Sequence, residues 1–213
     1  MRVLRAKLSI PAVLALGLAA WVSYKGVAAE RGAQRILLET RALRPGVATA
    51  AEVDQLVQRL HGRILFGKCE RGDCVAQVGV QNGRFDSWQL LPPGGFGVTL
   101  YVRDHQLKRT IYQQIRGGWA WSRFPTSTVL ADVTDVVCGK ASRCSSDERA
   151  KFMDGTALYG GTIVITNLTE ERRRETALQF NLRCVAFPFS CRSATDLLPA
   201  VWRHGSPWAN QRE

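Results

Sequence analysis

The chain has 213 residues, 46% of them hydrophobic and 22% charged, with a formal net charge of +11. Those proportions belong to a chain that buries an ordinary core, and they exclude a disordered one. The positive charge is spread along the whole sequence, and its densest run, Arg172-Arg173-Arg174, is bracketed by Glu170, Glu171 and Glu175. That is the pattern of a solvated helix face, so no nucleic-acid partner is expected; an anionic envelope surface suits the diffuse charge better.

The N-terminus sets the compartment. Arg2, Arg5 and Lys7 precede seventeen uncharged residues, Leu8 to Tyr24, with Trp21 and Tyr24 at the far end. The length is at the short end of a bilayer span and above that of a signal-peptide core, and the two rings sit where amphipathic side chains favour the interface. Residues 1–29 therefore read as a signal anchor, with cleavage after Val27-Ala28-Ala29 and secretion as the alternative. Positive charges flank the span on both sides (Lys25, Arg31, Arg35 and Arg41 follow it), so the positive-inside rule does not orient it. Residues 30–46 read as a juxtamembrane helix, continuous with the span and stopped at Pro45-Gly46, and residues 47–213 as the extracytoplasmic domain.

Thr49 with Glu52 three residues on is a capping-box signature, and Val53, Leu56, Val57 and Leu60 follow at helical spacing up to Gly62. In "CVAQVGVQN", Cys74, Ala76, Val78 and Val80 alternate with Gln77 and Gln81, which predicts a half-buried strand. "LPPGG" reads as a break. "VTLYVRDHQLKRTIYQQI" predicts a hairpin turning near Asp104-His105-Gln106, and "STVLADVTDVV" and "GGTIVITN" predict two more strands. "TEERRRETALQF" predicts a short helix, and "SATDLLPAVW" a turn that packs Leu197, Leu198 and Trp202 on the core. The sum is an α+β domain with a mostly antiparallel sheet of five or six strands and two or three short helices. The stretch Pro45-Gly46, Thr49, Glu52-Val53, Leu56 followed by strands resembles, over about twenty residues, the start of small envelope lipoprotein domains such as SmpA/OmlA, without that family's lipid-bearing cysteine.

Six cysteines fall in three close pairs: Cys69 and Cys74, Cys138 and Cys144, Cys184 and Cys191. Gaps of four, five and six residues without an adjacent histidine fit neither structural zinc nor a C-x-x-C redox site, so three local disulfides in an oxidising compartment are the favoured reading. That choice makes the chain N-in and C-out.

Candidate chemistry is sparse. His61, His105 and His204 stand without a recognisable catalytic motif, and the glycine-rich "LPPGGFGVTLY" lacks the lysine of a phosphate loop and leads into a strand. No metal or cofactor is expected. In "RGGWAWSRFP", Trp119 and Trp121 share one strand face beside Arg116 and Arg123, either as core or as a face that stacks a sugar or holds an anion. The leading expectation is a non-catalytic binding or scaffolding module whose partner is an envelope component. The alternative is an envelope hydrolase in which His105 and Asp132, Asp135 or Asp154 converge only in the fold.

Overall fold

A computed structural model describes residues 10–82, 94–116, 126–135, 149–154, 158–187, 191, 193–203, 206 and 208. The N-terminal segment is one unbroken helix, α1 (Ile10–Arg41), so the apolar span and the juxtamembrane stretch are a single rod. Its two halves differ. From Val13 to Lys25 it stands almost wholly clear of the rest of the chain, whereas Ala29, Ala33, Ile36, Leu37 and Thr40 repeat at helical spacing and are buried. The chain leaves α1 four residues before Pro45.

Thr49 caps α2 (Ala50–Arg59) as the sequence predicts. Its hydroxyl accepts from the Glu52 amide, and the Glu52 carboxylate accepts from the Thr49 amide at 2.7 Å. That backbone hydrogen bond holds the Glu52 carboxyl below its usual range. The far end of α2 differs from expectation. His61, at φ 52°, takes the left-handed position, with its amide bonded to the Gln58 carbonyl and that of Gly62 to the Val57 carbonyl, the pairing of a Schellman motif. Gly62 is glycine for a different reason: a Cβ there would overlap Val78 Cγ1.

Among the described residues, seven strands form one sheet in the order β1-β2-β3-β4-β5-β7-β6. They are β1 (Arg63–Lys68), β2 (Asp73–Asn82), β3 (Gly94–Arg103), β4 (Gln106–Arg116), β5 (Thr126–Thr134), β6 (Arg149–Asp154) and β7 (Leu158–Thr166). All pairs are antiparallel except β5 with β7, because β7 inserts between β5 and β6. The hairpin of β3 and β4 turns at Asp104 and His105, both at positive φ, which matches a type I′ turn built without glycine. Gly94 and Gly95, read as part of a break, belong to β3 and pair with Asn82 and Gln81. The sequence reading had no counterpart for β1 and β6, which bring the count to seven.

The helices lie on one side of the sheet. Leu100, Val98, Ala131, Ile163 and Tyr112 are fully or nearly fully buried beneath them. Helices α3 (Glu171–Ala177), α4 (Arg183–Ala186), α5 (Ala194–Leu197) and α6 (Pro199–Trp202) complete this layer. Leu197 and Leu198 are buried as the sequence predicts, Val201 is buried as well, and Trp202 packs on Gly161. Disulfides join Cys69 to Cys74 and Cys184 to Cys191, with Cα separations of 4.9 and 5.7 Å; Cys138 and Cys144 lie outside the described residues. The second bridge closes the turn that carries α4. There, Asn82 Nδ2 donates to the Val185 and Ala186 carbonyls at 3.1 Å, and Gly26 of α1 approaches so closely that a Cβ would sit 2.7 Å from the Ala186 oxygen. Sheet end, disulfide turn and α1 are thus fixed together where the apolar half of α1 ends.

Candidate functional site

Strand alternation sends one set of side chains to the helices and the other to a face that no described helix covers. On that open face β2 presents Gln77, Gly79 and Gln81, and β3 presents Gly95, Gly97, Thr99 and Tyr101. Register then aligns them: Gly79 lies opposite Gly97, which lies opposite Gln113 of β4, while Gln81, Gly95 and Ile115 form the next row. Three missing side chains on two adjacent strands leave a trough of about 400 Å³. Carboxamides of Gln77, Gln81 and Gln113 form its walls, and His61 and Arg63 stand at the rim. Gln77 Oε1 accepts from Arg63 Nη2 at 2.9 Å and from Nε at 3.3 Å, which holds the guanidinium at the edge.

Packing does not demand the bare floor. A Cβ on Gly97 would come no nearer than 3.6 Å to another atom and one on Gly95 no nearer than 3.4 Å, ordinary contacts; neither residue has the left-handed backbone that favours glycine. Gly79 is tighter, with Phe96 O at 3.2 Å. Glycine inside a strand costs roughly 0.5–1 kcal/mol relative to alanine, so Gly95 and Gly97 lower stability without steric necessity. Gly62, Gly67 and Gly94, in contrast, are each hemmed in by neighbouring atoms.

Farther from α4 the same face is filled. Arg109 grips Asp132 through Nε at 2.8 Å and Nη2 at 2.6 Å, and its guanidinium lies 5.6 Å from the Tyr101 ring centroid. Bidentate geometry favours this pair, but Arg109 is half exposed and such pairs contribute at most about 1 kcal/mol.

The residues singled out from sequence fall elsewhere. Trp119, Trp121 and Arg123 lie outside the described residues. Arg116 is buried on the helix-covered side, 4% exposed, where burial lowers its pKa and the charge of Asp196 partly offsets that. His105 sits at the hairpin tip with its ring over Gly72. Asp132 is held by Arg109, and Asp135 accepts from Asn167 Nδ2 at 2.8 Å with Lys108 Nζ 3.5 Å away. These contacts engage the two carboxylates separately, each with its own cationic or amide partner. Among the described residues no cluster of His, Cys, Asp and Glu could hold a metal ion.

Sequence reading missed the trough. It did place Gln77 and Gln81 on the polar face of β2, but only the register of β2 with β3 and β4 brings Gly95, Gly97 and Gln113 beside them. Compared with protein-family models, curated proteins and solved structures, the chain has no significant match.

Proposed function

We propose that the protein is a membrane-anchored, extracytoplasmic binding or scaffolding module that works through the open face of its sheet. The observation that carries this reading is the division of α1. Its apolar half, from Val13 to Lys25, is almost wholly exposed against the described residues, and its other half is part of the core. An uncovered helix of this length and hydropathy is stable when a bilayer covers it. Cleavage after Ala29 is disfavoured on packing grounds, because it would remove Gly26 and Ala29, both seated in the fold, and would begin the mature chain inside α1. The disulfides at Cys69–Cys74 and Cys184–Cys191 support an oxidising compartment, hence an N-in, C-out orientation. Binding is preferred over hydrolysis because the trough offers a shaped, uncharged floor, while Asp132, farther along the same face, is paired with Arg109 and Asp135 is held by Asn167 and Lys108.

The test is protease treatment of sealed, right-side-out membrane vesicles. Residues beyond Arg41 should be digested without detergent. Full protection of the domain until the vesicles are opened would contradict the orientation.

A further inference from the structure

We infer that the partner of the open face is a second copy of this chain, packed face to face about a two-fold axis that runs along β4; this deepens, and rests on, the anchored-module reading above. The first support is orientation. On the covered face α1 runs from Gly26, against the Ala186 carbonyl that Asn82 also holds, to Thr40, which bonds Tyr112. Asn82 and Tyr112 stand four rows and two strands apart, about 13 Å along the strands and about 10 Å across them. The strands therefore rise from the bilayer beside α1 rather than lie upon it. Two copies anchored in one bilayer are related by an axis along its normal. Upright sheets meet about such an axis open face to open face, with each α1 on the outside. The exposed edge strand β1 does not serve. An antiparallel pair of β1 strands has its two-fold axis perpendicular to the sheet, which sends the two anchors in opposite directions.

The second support is shape. Strand β4 is the middle one of the seven, so an axis along it brings Ile111, Gln113 and Ile115 to their own counterparts. It also lays the β2 and β3 flank of one copy on the β5 and β7 flank of the other. The first flank is hollow, with no side chain at Gly79, Gly95 and Gly97. The second carries Leu130 and Val164, half-buried aliphatics on the side away from the helices, and Leu130 stands in the row of Gln113 and Gly97. Carboxamides both donate and accept, so two Gln113 side chains bond each other reciprocally. Arg109 nears its counterpart at the far end of β4 with its charge offset by Asp132. The third support is area. Strands β2, β3, β4, β5 and β7, at about 4.8 Å spacing and about 30 Å long, present about 700 Å² per copy. A standard stable interface takes roughly 800 Å² from each partner. With carboxamides at its centre and rim, an interface of that size separates in dilute detergent, and confinement to one bilayer supplies the effective concentration.

The experiment traps the pair in the native membrane with the full chain and a bismaleimide whose spacer matches the separation of packed sheets, about 10 Å. Ile115→Cys, beside the axis, should give a linked species of twice the chain mass. Phe66→Cys, on β1 and 77% exposed, should give none, because its two copies lie about 30 Å apart across the pair. Leu130→Arg and Gly97→Thr, each added to Ile115→Cys, should lower the linked fraction about tenfold, and Gly97→Thr should melt no earlier than its parent in dilute detergent. Should Leu130→Arg fold poorly, Gly97→Thr carries the test alone. Four results would each overturn the inference while leaving the anchored module standing. They are no dimer through Ile115→Cys, an equal yield through Phe66→Cys, linkage of Ile115→Cys to a different protein instead, and a linked fraction that Gly97→Thr leaves unchanged. A chain found cleaved and soluble would overturn both.

Discussion

The two faces of the sheet obey different rules. On the covered face side chains pack against neighbours: Leu100, Val98 and Ile163 are fully buried, and Gln114 Nε2 donates to the Asn181 carbonyl at 2.8 Å. On the open face a Cβ at Gly95 or Gly97 would meet only ordinary contacts among the described residues. The covered face is therefore explained by stability, whereas packing among the described residues gives no reason for the glycines of the trough. Substitutions should separate the faces by sign as well as size.

The largest effect belongs to the covered face. Leu100→Ala removes a fully buried side chain from mid-sheet and should cost about 2–5 kcal/mol in chemical denaturation of the full chain. A loss under about 1 kcal/mol would mean that the helical layer packs loosely. Next comes the Cys184–Cys191 bridge, which closes an eight-residue loop beneath α1. Replacing both cysteines by serine should cost roughly 2.5 kcal/mol by the chain-entropy relation, with the domain still folded.

Alkaline pH probes the same face. Burial pushes the Tyr112 hydroxyl up to about 12, against a hydrogen bond to Thr40 and the charges of Arg174 and Arg41 that act the other way. An unfolded tyrosine loses its proton near 10, so the folded state retains the proton longer. Stability should be full below that pH and fall as pH rises from about 10 towards 12. Tyr112→Phe should flatten this decline.

Thr49→Ala, at the cap of a covering helix, should cost about 1 kcal/mol. Because the Glu52 carboxyl is held below its usual range by the Thr49 amide, the box is complete above that range and is lost as pH falls through it. The Thr49 hydroxyl also donates to that carboxylate at 3.0 Å, and because Thr49→Ala removes this bond, the difference between wild type and Thr49→Ala should shrink in acid. Smallest, and opposite in sign, is Gly97→Thr on the open face, expected to leave stability unchanged or raise it by up to about 1 kcal/mol. A clear loss there would erase the contrast between the faces.

Much of the covered side was legible in the sequence because its signals are local. Thr49 and Glu52 sit three apart, Cys74 to Val80 alternate, and Asp104-His105 interrupts two β-rich arms. Strand β1 was not legible: Ile64, Leu65 and Phe66 are consecutive, all exposed, and bulged against β2, so period two never develops. Helix α4 is four residues long at the start of a disulfide loop, too short for any periodicity. The trough was hidden for a different reason. Gly79 and Gly97 are eighteen positions apart in the chain, and nothing local says that they face each other; register does. Arg116 misled because Trp119 and Trp121 follow it closely in sequence, while its neighbours in space are Gly94 and the helical layer.

The account rests on α1 serving as span and core helix at once, and intact mass of the protein drawn from its native membrane tests this most directly. The predicted mass includes residues 1–29, in a species that alkaline extraction does not release. A mature chain that begins at Glu30 would contradict the anchor and, with it, the placement of the open face at the bilayer.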